Sequence, residues 1–363
     1  MELFRPEEKT SADVSDKVKS VLVCMSGGVD SSVAAALLVE QGYSVSGVTF
    51  TMLPDGNTAT NTDAKAVCDF LGIQFNSFDL TKPFREHVIN NFIMEYNSGR
   101  TPNPCVRCNR FVKFMYAADL ASDIGVEYVA TGHYSGVTVY PVTGRYILTK
   151  SIAGKKDQTY FLYSLTQEQL KRIIFPLSGY TKEDVRLLAK KFGLPTAKKP
   201  DSQEICFVPG NDYGEFLTSC GCISPSHGNY VSAVDGEILG NHKGLCFYTV
   251  GQRKGLGVAK GKPLYVISMD SDRNEIILGE DNDLYKSELV ISDVNIQAYD
   301  TIDRELEVSV KIRNQAPAAP ARIFPYTDGK YKIIFAEPQR AITPGQSAVF
   351  YIGDALIGGG VIC

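Results

Sequence analysis

Two cysteines separated by two residues, Cys105 and Cys108 in RTPNPCVRCNRFVKF, are the first group in this sequence with evident chemistry. A CxxC pair can clamp zinc, close a disulfide, ligate an iron–sulfur cluster or carry sulfur as a reagent. A third thiol of interest, Cys206, lies far downstream in LPTAKKPDSQEICF. A structural zinc wants a fourth ligand, and no CxxH or HxxxH stands nearby; CGC at 220–222 is badly spaced for chelation. The nine cysteines are odd in number and scattered, which argues against a disulfide framework. Cys24, Cys68 and Cys246 lie in apolar strand or helix contexts and read as small buried hydrophobes.

A second group sits in VLVCMSGGVDSS, residues 21–32. A buried strand runs into Ser26, Gly27 and Gly28, and then Asp30, Ser31 and Ser32 open a helix. Glycines let the backbone approach an anion, and the free N–H groups of a helix N-terminus bind phosphate. The hydroxyls of Ser26, Ser31 and Ser32 add donors. The lysine of a Walker loop is missing, and no GxxxxGK[ST] occurs in the chain. Such a loop suits the pyrophosphate of ATP, and adenylation of an oxygen is the natural reaction.

These groups need a scaffold. A chain of 363 residues calls for two or three domains, and 44% hydrophobic with 21% charged residues is ordinary for a globular protein. Strands and helices alternate through the first half: VKSVLVCM, SSVAAALLVEQG, YSVSGVTF, TDAKAVCDFLG, IQFNSFDL, FREHVINNFIMEYNSG, FVKFMYAADLASDIG and EYVATGHY. Alternation predicts an α/β domain with a parallel sheet covered on both faces. Thr181 and Asp184 in YTKEDVRLLAKKFG have capping-box spacing. After about residue 206 short segments take over: LCFYTV, PLYVISMD, NEIILG, LEVSVKIR, YKIIFAE and QSAVFYIG. They predict two small all-β, barrel-like domains with a seam near residue 285. The expected division is a loose extension over 1–17, a nucleotide and catalytic domain over 18–206, and β domains over 207–285 and 286–363.

No apolar run approaches the roughly 18 residues of a membrane helix. The polar start MELFRPEEKTSADVSDKVKS lacks the apolar core of a secretory signal, so a cytoplasmic protein is expected. A net charge of −4 argues against a general nucleic-acid coat but leaves room for a local basic surface.

The SGGVDSS loop resembles that of the PP-loop ATPase superfamily. GRTPNPCVRCNRFVKF, ATGHY, KDQTYFLYSL, LPTAKKPDSQEICF, YTVGQRKGLG and ITPGQSAVFYIGDALIGGGVI occur in that order. Together they closely resemble the bacterial tRNA-specific 2-thiouridylases, from about residue 20 to the C-terminus. The resemblance implies a PP-loop domain that adenylates O2 of the wobble uridine (position 34) of tRNA, using ATP and Mg²⁺. A cysteine persulfide, supplied by a sulfur-donor protein, then delivers sulfur to C2. It implies ATP contacts at Cys24, Met25, Ser26, Gly27, Gly28, Val29, Asp30, Ser31, Phe50 and Gly132. It makes Cys206 the persulfide carrier and Cys108 its resolving thiol. It also implies tRNA contacts at Asn103, Pro104 and Cys105, at Lys156, Asp157 and Gln158, and at Arg313 and Asn314.

The sequence departs from the family's usual NPDxxCN, because Cys105 replaces the Asp. That keeps a second sulfur mechanism open, in which Cys105, Cys108 and Cys206 ligate a [4Fe–4S] cluster, as in related iron–sulfur tRNA thiolases. An inactive tRNA-binding relative is a third reading, against which the intact loop and thiols speak. Basic clusters at Arg107, Arg110 and Lys113, at Lys155 and Lys156, at Lys198 and Lys199, and at Arg253 and Lys254 suit phosphates or a solvated face. His133 is expected to be a structural imidazole at a strand end.

Overall fold

The computed structural model describes residues 18–54, 58–200, 205–208, 210, 213–220, 227–258 and 261–363. The expected extension over 1–17 and Cys222 lie outside the described residues. Strand β1 (Ser20–Cys24) carries Val21, Leu22 and Val23 with no exposure, as a parallel strand covered on both faces requires. It pairs in parallel with β2 (Ser44–Thr51), which pairs with β3 (Gln74–Asp79). On its other side it pairs with β4 (Tyr128–Thr131), which pairs with a short later strand, Ile173–Ile174. The order therefore reverses between β1 and β4, and the crevice beyond their carboxyl ends is where open α/β sheets bind ligands. Helix α1 (Val29–Glu40) starts at that crevice, and with α2 (Thr58–Leu71) it covers one face.

The other face is covered by two helices that each contain a π turn. Helix α3 joins Thr81–Phe84, the π turn Arg85–Ile89 and Asn90–Asn97. Helix α4 joins Pro104–Cys108, the π turn Asn109–Lys113 and Phe114–Asp123. The sequence reading began α4 at Phe111. The helix instead begins at Pro104, whose fixed φ suits the first helical turn, so the CxxC pair rides on a helix. Further on come α5 (Gln167–Arg172) and α6 (Lys182–Lys191). The capping box predicted for α6 is present: Asp184 N–H donates to Thr181 Oγ1 at 3.2 Å and Thr181 N–H to Asp184 Oδ2 at 2.9 Å.

The second half is β-rich, as its turn-broken pattern predicts. Glycine 228 to Ser232, Ile238–His242, Tyr265–Asp270 and Glu275–Gly279 form a four-stranded sheet that includes one parallel pair. Segment LCFYTV was expected to be a strand. It forms a 3₁₀ turn, Leu245–Phe247, which sends Cys246 and Phe247 into the core under α3 and α4. Tyr213–Ser219 forms a short helix beside them. Strands Tyr285–Ile296, Tyr331–Arg340, Ala319–Pro325, Leu306–Lys311, Ser347–Ile352 and Ala355–Ile362 pair in that order, and the first also pairs with the last, closing a barrel. Closure removes free sheet edges. A hairpin from the first half, Gly136–Val139 with Tyr146–Thr149, attaches to the barrel through Thr149 and Ala355. Among the described residues, no helix is long and apolar enough to cross a membrane.

Two close backbone approaches hold these parts in register. Gly345, at φ +88°, lies so near the strap before α4 that a Cβ there would stand 2.8 Å from Thr101 O. Thr101 N–H donates to Pro344 O at 2.9 Å, and Gln346 Nε2 donates to the carbonyls of Thr101 and Pro102 at 3.1 Å each. Gly132, just after β4, lies against the first turn of α1, where a Cβ would stand 2.6 Å from Ser31 N and 2.7 Å from Asp30 C. Gly345→Ala is expected to cost on the order of 2 kcal/mol in denaturant unfolding. Gly353→Ala, at φ +59° but in open space, is the milder control. Gly132→Ala is expected to accelerate amide exchange across residues 29–32 at least about tenfold while barrel amides are unchanged, because the opening is local.

Candidate active site

The glycine turn between β1 and α1 is built for an anion. Gly27, at φ +63°, packs so closely on α2 that a Cβ would stand 2.7 Å from Thr60 O. Gly28 is the N-cap of α1 and supplies no side-chain cap, so the helix presents bare N–H groups at the crevice. Ser31 Oγ lies 3.2 Å from both Ser26 Oγ and Gly28 O, and accepts from Ser26 N–H at 3.2 Å. Ser32 Oγ donates to Gly28 O at 2.8 Å and accepts from Thr196 Oγ1 at 2.9 Å. Met25 N–H donates to Val48 O at 2.7 Å, tying the loop to β2. Val29 is buried in the core beneath α1.

Asp30 would repel a phosphate if left bare. Its carboxylate accepts from Lys182 Nζ at 2.7 and 2.9 Å and from Tyr134 Oη at 2.8 Å, which neutralises it and fixes the first turn of α1. Lys199 Nζ donates to Gly27 O at 2.9 Å and pairs with Asp63. Sequence reasoning missed Lys182 and gave Lys199 no role in the loop. Lys182 did carry a signal: a lysine in the first turn of a helix opposes the helix dipole and needs a local anion.

The three candidate thiols converge beside this loop. Cys24 ends β1 and is buried with Phe50 and Cys108 in the core between the sheet, α3 and α4. Phe50 thus lies within the core at the end of β2. Cys108 is half-buried, with Sγ 3.9 Å from Met52 Sδ. Cys105 and Cys206 are exposed at the surface though surrounded by protein, and a charge on Cys206 raises the pKa of both Cys105 and Cys108. Burial pushes the Cys108 thiol up to about 12 and the Cys105 thiol up to about 11, and it raises Cys206 as well. The Lys113 ammonium pulls all three the other way. All eight described cysteines are free thiols. Among the described residues, no three His, Cys, Asp or Glu side chains are arranged to hold a metal. Cys105, Cys108 and Cys206 are neighbours without ligating geometry, and the cluster expectation has no support in this arrangement.

His133 is half-buried against Phe114 and Phe175, with Nδ1 2.7 Å from Thr131 Oγ1. Burial holds its pKa well below the usual histidine range, so the imidazole is neutral. Asn103 bonds to Tyr160, and Pro104 is buried at the start of α4. Lys156 is exposed. Asp157 turns inward and accepts from Ser151 N–H at 2.9 Å and Thr159 Oγ1 at 2.5 Å. Gln158 exchanges two hydrogen bonds with the Tyr134 backbone. Arg313 donates to Ala341 O at 2.7 Å and Thr343 Oγ1 at 2.8 Å, with Asn314 half-buried beside it. Asp157, Gln158 and Arg313 therefore make internal bonds in this structure.

Three family models cover the described fold. The tRNA methyl transferase HUP domain matches residues 19–210, the tRNA methyl transferase PRC-barrel domain 215–280, and the aminomethyltransferase beta-barrel domain 286–362. A tRNA-specific 2-thiouridylase MnmA from Acetivibrio thermocellus is 49% identical over 95% of this chain and 99% of its own length. Homologues of the same name from Carboxydothermus hydrogenoformans and Clostridioides difficile are each 47% identical over 95% of this chain, and over 97% and 98% of their own lengths. With 47–49% identity and near-complete coverage in both directions, this chain belongs to the tRNA-specific 2-thiouridylase family.

Proposed function

We propose that this chain is an ATP-dependent sulfurtransferase that replaces O2 of the wobble uridine, position 34, in tRNA with sulfur. The observation that carries the reading is the convergence of Cys108 and Cys206 beside a glycine loop with an uncapped helix N-terminus. ATP lies with its phosphates on the loop from Cys24 to Ser31, close to Gly132, and its adenine near Phe50. Mg²⁺ accompanies the pyrophosphate; the described residues offer it no carboxylate cage, which suits an ion that is bound chiefly through substrate phosphates.

The reaction has three stages. Uridine O2 attacks the α-phosphorus as the N3 proton departs; the α–β bridge breaks and pyrophosphate leaves. The terminal sulfur of a persulfide anion on Cys206 attacks C2, and the C2–O bond breaks as AMP takes the electron pair. The Cys108 thiolate then attacks Cys206 Sγ. The sulfur bonded to C2 leaves with the electron pair of the broken S–S bond, N3 regains a proton, and 2-thiouridine and a Cys108–Cys206 disulfide remain. A cellular dithiol returns two electrons to that disulfide, and a sulfur-donor protein of the cysteine desulfurase or relay class reloads Cys206.

In this reading residues 18–206 perform the chemistry in the cytoplasm, and the domains over 207–285 and 286–363 help hold tRNA. The target base is unstacked into the site past Asn103, Pro104 and Cys105. Lys156, with Asp157 and Gln158 beside it, approaches the tRNA backbone, and Arg313 and Asn314 approach it from the barrel side.

The test uses purified chain, unmodified tRNA, ATP with Mg²⁺, a dithiol, and cysteine with a cysteine desulfurase, reading 2-thiouridine by nucleoside mass spectrometry. Cys206→Ser and Cys108→Ser are each expected to lower thiolation at least about a hundredfold, as loss of a nucleophile does. Cys105→Ala is expected to remain within about tenfold of wild type, since its thiol has no step of its own. Wild-type chain that forms no 2-thiouridine removes the function; full activity of Cys206→Ser removes its role.

A further inference from the structure

Helix α4 carries three cations near the thiols, and two of them are committed elsewhere. Arg107 Nε donates to His87 O at 2.9 Å and its guanidinium lies 4.8 Å over the Phe111 ring. The Arg110 guanidinium also lies 4.8 Å from the centroid of that ring, and it pairs with Asp293 at 2.9 Å. Lys113 is half-buried, and none of the ion pairs among the described residues includes it. Its charge falls on Cys24 from β1, Cys105 and Cys108 from α4, Cys206 from the 205–208 segment, and His133 beyond β4.

The π turn explains this placement. In a regular α-helix five residues sweep about 500°, which leaves Lys113 about 140° around the axis from Cys108. Here Phe114 N–H donates to Asn109 O, five residues back, across the turn Asn109–Lys113. The i→i+5 bond takes an extra residue into the turn, so Lys113 swings back toward the side of the helix that carries Cys108. Single π turns inside α-helices recur at functional sites because they re-aim a side chain.

We propose that Lys113 is the positioning residue of sulfur transfer, its ammonium holding the anionic sulfur on Cys206 between the nucleotide loop and Cys108. This rests on the sulfurtransferase reading. The step brings an anionic persulfide up to a carbon that bears the AMP phosphate, and two negative charges in a crowded hollow repel. An ammonium on the side of α4 that carries Cys108, whose core also holds Cys24 and Ile205, Phe207 and Val208 around Cys206, relieves that repulsion. It also favours the thiolate of Cys108 when that thiol attacks. His133 is neutral and adds no competing charge.

The test compares wild type with Lys113→Met and Lys113→Arg. One readout is the pH profile of Cys206 alkylation by iodoacetamide, followed by peptide mass spectrometry without tRNA or ATP. The other is single-turnover thiolation by persulfide-loaded chain. Lys113→Met is expected to move the Cys206 profile to higher pH and slow alkylation near neutrality about fivefold or more. It is expected to slow thiolation at least about thirtyfold, with Lys113→Arg within about threefold of wild type in both. A Met variant with an unshifted Cys206 profile overturns the proposal, as does an Arg variant that behaves like the Met variant. Lys113→Gln is read in the same way if the Met variant does not fold. Wild-type chain that alkylates normally but never thiolates tells against the sulfurtransferase reading instead.

Discussion

The backbone of Gly132 against the first turn of α1 is the contact on which the site depends. A helix start that binds phosphate has to keep its N–H groups bare, yet a bare helix start is one that frays. The chain resolves this by bracing the turn from outside. Gly132 closes over Ser31 at a distance no Cβ tolerates. Lys182 and Tyr134 clamp Asp30, and Thr196 steadies Ser32. These braces come from three stretches of chain beyond the loop. The order of the loop is therefore a tertiary property, and the motif alone does not supply it.

The barrel has a comparable relation to the thiols. The strap before α4 is bonded along its length to the barrel: Arg100 to Ile362 O at 3.0 Å, Thr101 to Pro344, and Gln346 back to Thr101 and Pro102. Tyr160, which bonds Asn103, also donates to Ser347 O at 2.9 Å. Each bond adds only about 1 kcal/mol to stability. Their combined effect is geometric, since they set where α4 begins and so where Cys105 and Cys108 point. A barrel at the far end of the sequence thus positions a motif near its start.

What the sequence made legible is what local rules encode. The parallel sheet followed from alternating strands and helices, the loop from glycines at a strand–helix junction, and the cap of α6 from Thr181 and Asp184. Harder to read were features set by distant partners. The hairpin over 136–149 finds its neighbour at Ala355, which no local pattern reveals. LCFYTV has a strand's composition, but its side chains are divided between cores: Cys246 and Phe247 join the one under α3 and α4, and Leu245 and Tyr248 the one on the four-stranded sheet. The π turn in α4 has no residue signature, so the face shared by Cys108 and Lys113 was hidden. Asp157, Gln158 and Arg313 are polar residues that serve the interior, and composition does not say which way a side chain turns.

Burial at the thiols has a chemical consequence of its own. A protonated thiol is a poor nucleophile, so raising the pKa of Cys105, Cys108 and Cys206 quiets all three in the resting chain. A persulfide ionises more readily than a thiol, so in the proposed reaction a sulfur loaded on Cys206 reacts where the bare thiol does not. Exposure also differs between the two thiols of the proposed reaction: Cys206 is exposed, as a sulfur carrier loaded from outside would have to be, while Cys108 is half-buried. In the proposed reaction, two otherwise identical side chains are thus distinguished by their surroundings alone.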